Sequence, residues 1–128
     1  MILLVSLTAV LFSCTSSVVE KQLLDVESYI MERPDSDLAV LESMDRSLLV
    51  TQADRAHHAL LNAMALDKSF IDVADDSLAR VAVDYYSKRG DRKYYARALY
   101  YLGVAYYNQG EYNKAIVIYT KTEKMVEG

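Results

Sequence analysis

The stretch whose reading decides the fold is 97-RALYYLGVAYYNQGEYNKAIVIY-119. At helical spacing Leu99, Leu102, Gly103 and Tyr106 fall on one stripe, the i, i+3, i+4, i+7 pattern of an amphipathic helix. Asn108-Gln109-Gly110 breaks the pattern, and a second helix then carries Ala115 and Tyr119 inward.

The same alternation of helix and break extends back along the chain. Gly90 can close a fourth helix over about 76–89, and Asp91 can cap the fifth. Thr51 with Asp54 three residues on has the form of a capping box, opening a third helix that runs to about Leu66. A shift of 42 residues brings Arg55 onto Arg97, Ala56 onto Ala98, Leu60 onto Leu102 and Ala63 onto Ala105. The following helix matches at a different shift, 33, with Ala82 under Ala115 and Tyr86 under Tyr119. The two shifts differ by nine, so the loop Asp67–Asp75 carries extra residues. Further upstream, Val19, Leu23, Val26 and Ile30 recur at helical spacing, giving a first helix over about 18–32. Pro34 is tolerated in a first helical turn but not in an interior, so Arg33-Pro34-Asp35 is the joint. A short second helix then turns Leu38, Leu41 and Met44 inward.

The order large-x2-Leu-Gly-x2-Tyr followed by Ala-x3-aromatic resembles the tetratricopeptide repeat, a helix–turn–helix unit of about 34 residues. Leu99 stands where that family usually has Trp, and Glu127 where it closes with Pro. The resemblance implies an all-α, right-handed solenoid of about three hairpins, over 19–45, 51–89 and 91–126. It makes Gly103 and Ala115 the small residues at which paired helices approach. Leu at 103 is then expected to overpack the hairpin. Ala there is expected to be nearly neutral, since helix propensity favours it over Gly by about 1 kcal/mol. The resemblance also implies a protein-binding role, with successive first helices lining a concave groove that holds a peptide or partner protein. That groove would show Arg97, Tyr100, Val104, Tyr107 and Asn108, and by the 42-residue shift Arg55, His58 and Asn62.

Composition bounds the alternatives. The 128 residues are 52% hydrophobic and 25% charged, with one Pro and four Gly, which suits one small domain of long helices rather than disorder or a turn-rich β fold. A net charge of −4 leaves no basic footprint for nucleic acid. A single Cys excludes an internal disulfide. That Cys14 follows the apolar run Ile2–Phe12, which is too short to span a bilayer but suits the core of a secretory signal. Leu11-Phe12-Ser13-Cys14 resembles a bacterial lipobox, although no Lys or Arg precedes the apolar run. The resemblance implies a signal peptide over 1–13, a lipidated Cys14, a polar linker over 14–18 and a membrane-anchored lipoprotein facing the periplasm. Thr15 after the Cys favours the outer membrane.

No catalytic, cofactor or metal pattern emerges. Asp67, Asp72, Asp75 and Asp76 lack the alternate spacing, Gly and terminal Glu of a calcium loop, and helix capping accounts for Asp75 or Asp76. His57 and His58 are neighbours rather than an i, i+4 pair, and His58 can pair with Asp54. No G-x-S-x-G or Gly-rich phosphate loop is present, so a non-enzymatic role with no cofactor and no metal is expected. Chains resembling this one also occur as the extracytoplasmic sensor half of membrane-bound transcriptional regulators, the alternative reading. The last helix carries Ala115, Ile116, Ile118, Tyr119 and Met125, too many apolar residues for burial on one side, so self-association or further repeats are expected through it. The address is directly testable: metabolic labelling with a fatty-acid analogue should mark the wild type and not Cys14→Ser. Equal labelling of both removes the anchor.

Overall fold

Caps and breaks set the helix limits in the computed structural model, which describes residues 18–127. Six α-helices occur among these residues: α1 over 18–29, α2 Pro34–Ser43, α3 Gln52–Lys68, α4 Ser77–Tyr86, α5 Arg92–Asn108 and α6 Tyr112–Glu127. A 3₁₀ turn, Arg46–Leu48, lies between α2 and α3. The signal segment 1–13, Cys14 and most of the linker lie outside the described residues. Pro34 opens α2 at a position whose N–H has no intrahelical partner, and Asp35 and Asp37 sit in that first turn, where the helix dipole favours negative charge. Thr51 Oγ1 accepts from the Asp54 amide at 3.0 Å, and Asp91 Oδ1 accepts from the Lys93 amide at 2.7 Å. These caps start α3 and α5 as the sequence predicts.

Consecutive helices pack on one another from α2 to α6, and α3 also touches α5. The pairs run antiparallel. Along α5 and α6, Tyr107 meets Tyr112, Tyr100 meets Tyr119, and Tyr95 Oη accepts from Lys121 Nζ at 3.1 Å, partners that ascend one helix while descending the other. The core runs through the described chain: Val19, Leu23, Val26 and Ile30 from α1, Leu38 and Leu41 from α2, Leu60 and Leu61 from α3, Ala79 and Ala82 from α4, and Ala98 and Leu102 from α5. Small and large residues trade places between hairpins. In α3–α4 the second helix supplies Ala79 and Ala82 against the leucines of α3; in α5–α6 the first helix supplies Gly103 and the second Tyr119.

Two helix ends differ from the sequence expectation. The first ends at 29 rather than 32, and the fourth at Tyr86 rather than 89, each followed by a turn. Gly90 therefore closes the turn after α4 rather than the helix itself, with φ +92°, a conformation disfavoured for side-chain-bearing residues. Among the described residues no helix is long and apolar enough to cross a membrane.

Gly103 is where the expectation about substitution changes. A Cβ built on it would lie 2.6 Å from Cε1 and 2.8 Å from Cδ1 of Tyr119, inside van der Waals contact. Ala at 103 is therefore not neutral, because the ring must swing out of the hairpin to admit it. Overpacking costs about 1–3 kcal/mol against a propensity gain of about 1 kcal/mol. Gly103→Ala should lower the urea midpoint, Gly103→Leu should lower it further, and Tyr119→Leu should restore much of the loss in the Ala background. An unchanged midpoint for Gly103→Leu would mean that α5 and α6 do not close on this glycine.

Candidate functional site

The eight residues expected in a concave groove do not form one open surface. His58 is only 4% exposed, and its Nε2 donates to the Leu41 carbonyl at 2.9 Å, tying α3 to α2. Asn62 is 6% exposed, with an Oδ1 that has no hydrogen-bond partner among the described residues. Both are corrections: periodicity places them on the same helical row as Arg55, but packing of α3 against its neighbours buries that row beyond its first turn. The Arg55 guanidinium donates to the carbonyls of Leu49 and Val50 at 2.9 and 3.1 Å, holding the approach to α3.

The extra residues of the middle hairpin fill the far end. Asn108 Nδ2 donates to the Val73 carbonyl at 3.0 Å, and Gln109 Nε2 to that of Ala74 at 2.6 Å, so the 69–76 segment is laced onto the end of α5. Ile71 and Val73 of this segment, with Ala63, Leu66, Tyr101 and Val104, enclose a cavity of only about 20 Å³, room for a single water. Val104 and Asn108, both half-buried, thus also seat an internal segment. Tyr100 and Tyr107 remain open, at 42% and 57% exposure, and Arg97 lies half-buried with its guanidinium 5.9 Å from the Tyr94 ring centre. Tyr100 leans on Tyr101 and Tyr119, and Tyr107 on Tyr112, so both belong to the α5–α6 surface.

A site that the sequence reading did not identify lies at the opposite end of these helices. Glu27 of α1 accepts from His57 Nε2 of α3 at 3.0 Å and from the Tyr94 hydroxyl of α5 at 3.0 Å, so one carboxylate joins three helices. Tyr94 stacks on Tyr86 with centroids 5.3 Å apart and planes 17° from parallel; Tyr85 meets Tyr86 edge-on, and His57 meets Tyr94 edge-on. Beside this cluster opens a cleft of about 400 Å³. Its walls are His57, Tyr85, Tyr86, Tyr94 and Leu24, and its carboxylates are Glu20, Asp54 and Asp91. No Lys or Arg lines it, so its polarity is acidic over aromatic. Spacing alone hid this site, because Glu27, His57 and Tyr94 are 30 and 67 positions apart from one another along the pairs that meet.

His57 is oriented by Glu27, and Thr51 lines the cleft beside it. Among the described residues no three His, Cys, Asp or Glu side chains converge as metal ligands. The acidic loop residues have local tasks: Asp75 Oδ1 accepts from the Ser77 amide at 2.9 Å, Asp76 pairs with Arg80 at 2.7 Å, and Asp67 lies 3.9 Å from Lys68 Nζ. Compared with protein-family models, curated proteins and solved structures, the chain matches none.

Burial, and then the hydrogen bond to Glu27, push the Tyr94 phenol up to about 12. Burial raises Tyr86 and Tyr101 as well. Below the ordinary tyrosine value of about 10 both folded and unfolded chains hold these protons, and the contribution is complete. Above it the unfolded chain releases protons that the folded chain retains, so stability should fall as pH rises from about 10 toward 12. Tyr94→Phe should be less stable at neutral pH by about 1–2 kcal/mol, through loss of the bond to a carboxylate. Its decline above pH 10 should also be shallower than the wild type's. Urea titrations at pH 7, 10 and 11 decide this; parallel pH profiles would show that Tyr94 does not hold its proton against Glu27.

Proposed function

We infer that this chain is a non-enzymatic protein-binding module, a tetratricopeptide-like right-handed solenoid held at a membrane through a lipidated Cys14 on the periplasmic side. The aromatic and acidic cleft between α1, α3 and the α4–α5 connection carries the reading. A cleft with tyrosine faces and carboxylates but no cation suits the ammonium or guanidinium of a partner's Lys or Arg. Burying such a side chain against Tyr85 and Tyr94 would supply the central anchor that peptide interfaces rely on. Antiparallel hairpins, the α3–α5 contact and the close approach at Gly103 support the repeat assignment.

A second contact surface is the outer face of α6. Ile116 and Val117 are exposed there, and Ala115 is the helix's buried residue. Such a face is suited to a further helix or a second copy.

The cleft is tested with defined peptides. A fluorescent decapeptide bearing two Arg and two Lys should bind at least tenfold more tightly than its Glu counterpart, measured by anisotropy at 50 mM salt. Tyr85→Ala should weaken the basic peptide, and Glu20→Lys should reduce its advantage, with helical circular dichroism unchanged in both. Equal affinity for the two peptides would remove the cleft as the recognition site.

A further inference from the structure

The connection between α4 and α5, 87-SKRGDRK-93, sets four cations against one carboxylate in a chain whose net charge is −4. Lys88, Arg89, Arg92 and Lys93 are all exposed, and none forms an ion pair among the described residues. Asp91 is occupied by its cap on the Lys93 amide. Lys121 of α6 joins them: with Lys88, Arg89 and Arg92 it lines an open hollow of about 490 Å³ that no carboxylate lines. Arg55 extends the same sign around the other side of Lys88 and Arg89, where Asp84 is the one opposing group. Positive charge is thus gathered at one end of an otherwise acidic molecule.

That end is also the one nearest the expected anchor. Glu20, in the first turns of α1, lines the same cleft as Gly90 and Asp91, and Gly90 also borders the basic hollow. Glu20 lies six positions after Cys14, a reach of at most about 20 Å however the chain runs. A lipid on Cys14 would keep the start of α1, and the 88–93 connection beside it, within reach of a bilayer. A cation within a Debye length, about 8 Å, of an anionic leaflet is attracted to it.

We propose that Lys88, Arg89, Arg92 and Lys93, with Lys121, form a membrane-facing surface that rests on anionic phospholipid headgroups beside the anchor. This orientation rests on the reading of Cys14 as the lipidated residue. An acyl chain and a basic patch together make a stable two-signal attachment. The arrangement turns α6, with its exposed Lys121, toward the leaflet at one end only, so its outward apolar residues stay open to a protein partner.

The test uses the full chain with Cys14→Ser and vesicles of phosphatidylcholine alone or with one-third phosphatidylglycerol. The apolar segment Ile2–Phe12 contributes to both vesicle types alike, so the ratio of the two affinities reports the headgroups. The ratio should be at least tenfold at 50 mM salt and near one at 500 mM. Lys88→Gln/Arg89→Gln/Arg92→Gln should bring it near one at low salt, with unchanged helical circular dichroism. Equal binding to both vesicles by the unmodified surface overturns the proposal. So does loss of the preference on adding inorganic phosphate at constant ionic strength, which would mark a site for free phosphate instead. Fatty-acid labelling of the wild type reports the anchor separately: no label with the preference retained counts against lipidation at Cys14 and for the basic surface.

Discussion

One carboxylate, Glu27, ties the first helix to the third and fifth. The first helix also contributes the apolar stripe of Val19, Leu23, Val26 and Ile30 to the core. An apolar stripe fixes which face is buried but tolerates sliding along the helix axis, because hydrophobic contact is not directional. Two hydrogen bonds of 3.0 Å from different helices to the two oxygens of one group remove that freedom. They set α1 in register with α3 and α5, and they place the tyrosines of α4 and α5 around the adjoining cleft. The partly buried carboxylate is tolerable because both oxygens are satisfied. His57 and Tyr94 thus belong both to the structural tie and to the lining of the adjoining cleft.

The middle hairpin shows how an insertion can cover the end of a neighbouring helix. A standard turn would leave the row from Arg97 to Asn108 facing outward. Instead the 69–76 segment turns back, its Val73 and Ala74 carbonyls accept from the side chains of Asn108 and Gln109 at the end of α5, and Ile71 and Val73 line a small cavity with Val104. The turn that launches it is strained. Phe70 adopts φ +60° while its side chain is 94% exposed, and a left-handed conformation costs a non-glycine residue about 1–2 kcal/mol. The hydrogen bonds from Asn108 and Gln109 offset that strain. The aromatic and acidic cleft lies at the other end of α5, where the Asp91 cap rather than an insertion shapes the surface.

Charge is divided as sharply as packing. Within a few residues of Gly90 the surface passes from the carboxylates of Glu20 and Asp91 to the cations of Lys88, Arg89 and Arg92. Gly90 makes this possible: with positive φ and no Cβ it lets the backbone reverse beside Tyr86, whose ring would lie 3.1 Å from an added Cβ. The acidic cleft and the basic hollow share Tyr86 and Gly90 but no charged residue.

Helix identity, order and approximate limits were legible in the sequence, because each depends on neighbours in the chain. Thr51 and Asp91 cap, Pro34 starts α2, and Leu38, Leu41, Leu60 and Leu102 repeat at helical spacing and are buried. The close approach at Gly103 was legible too, through its place beside the leucines. How tight that approach is was not, since that follows from where the Tyr119 ring lies. Tertiary structure alone decided which outward rows stay outward. His58 and Asn62 share a helical row with Arg55, but contacts made 17 or more positions away, such as His58 with the Leu41 carbonyl, bury them. It also decided the site, by bringing Glu27, His57 and Tyr94 together across three helices. Local pattern determines what each segment becomes, because capping, φ restriction and amphipathic spacing act within a turn or two. What meets what depends on how whole helices stack, and a single helix's period carries no record of that.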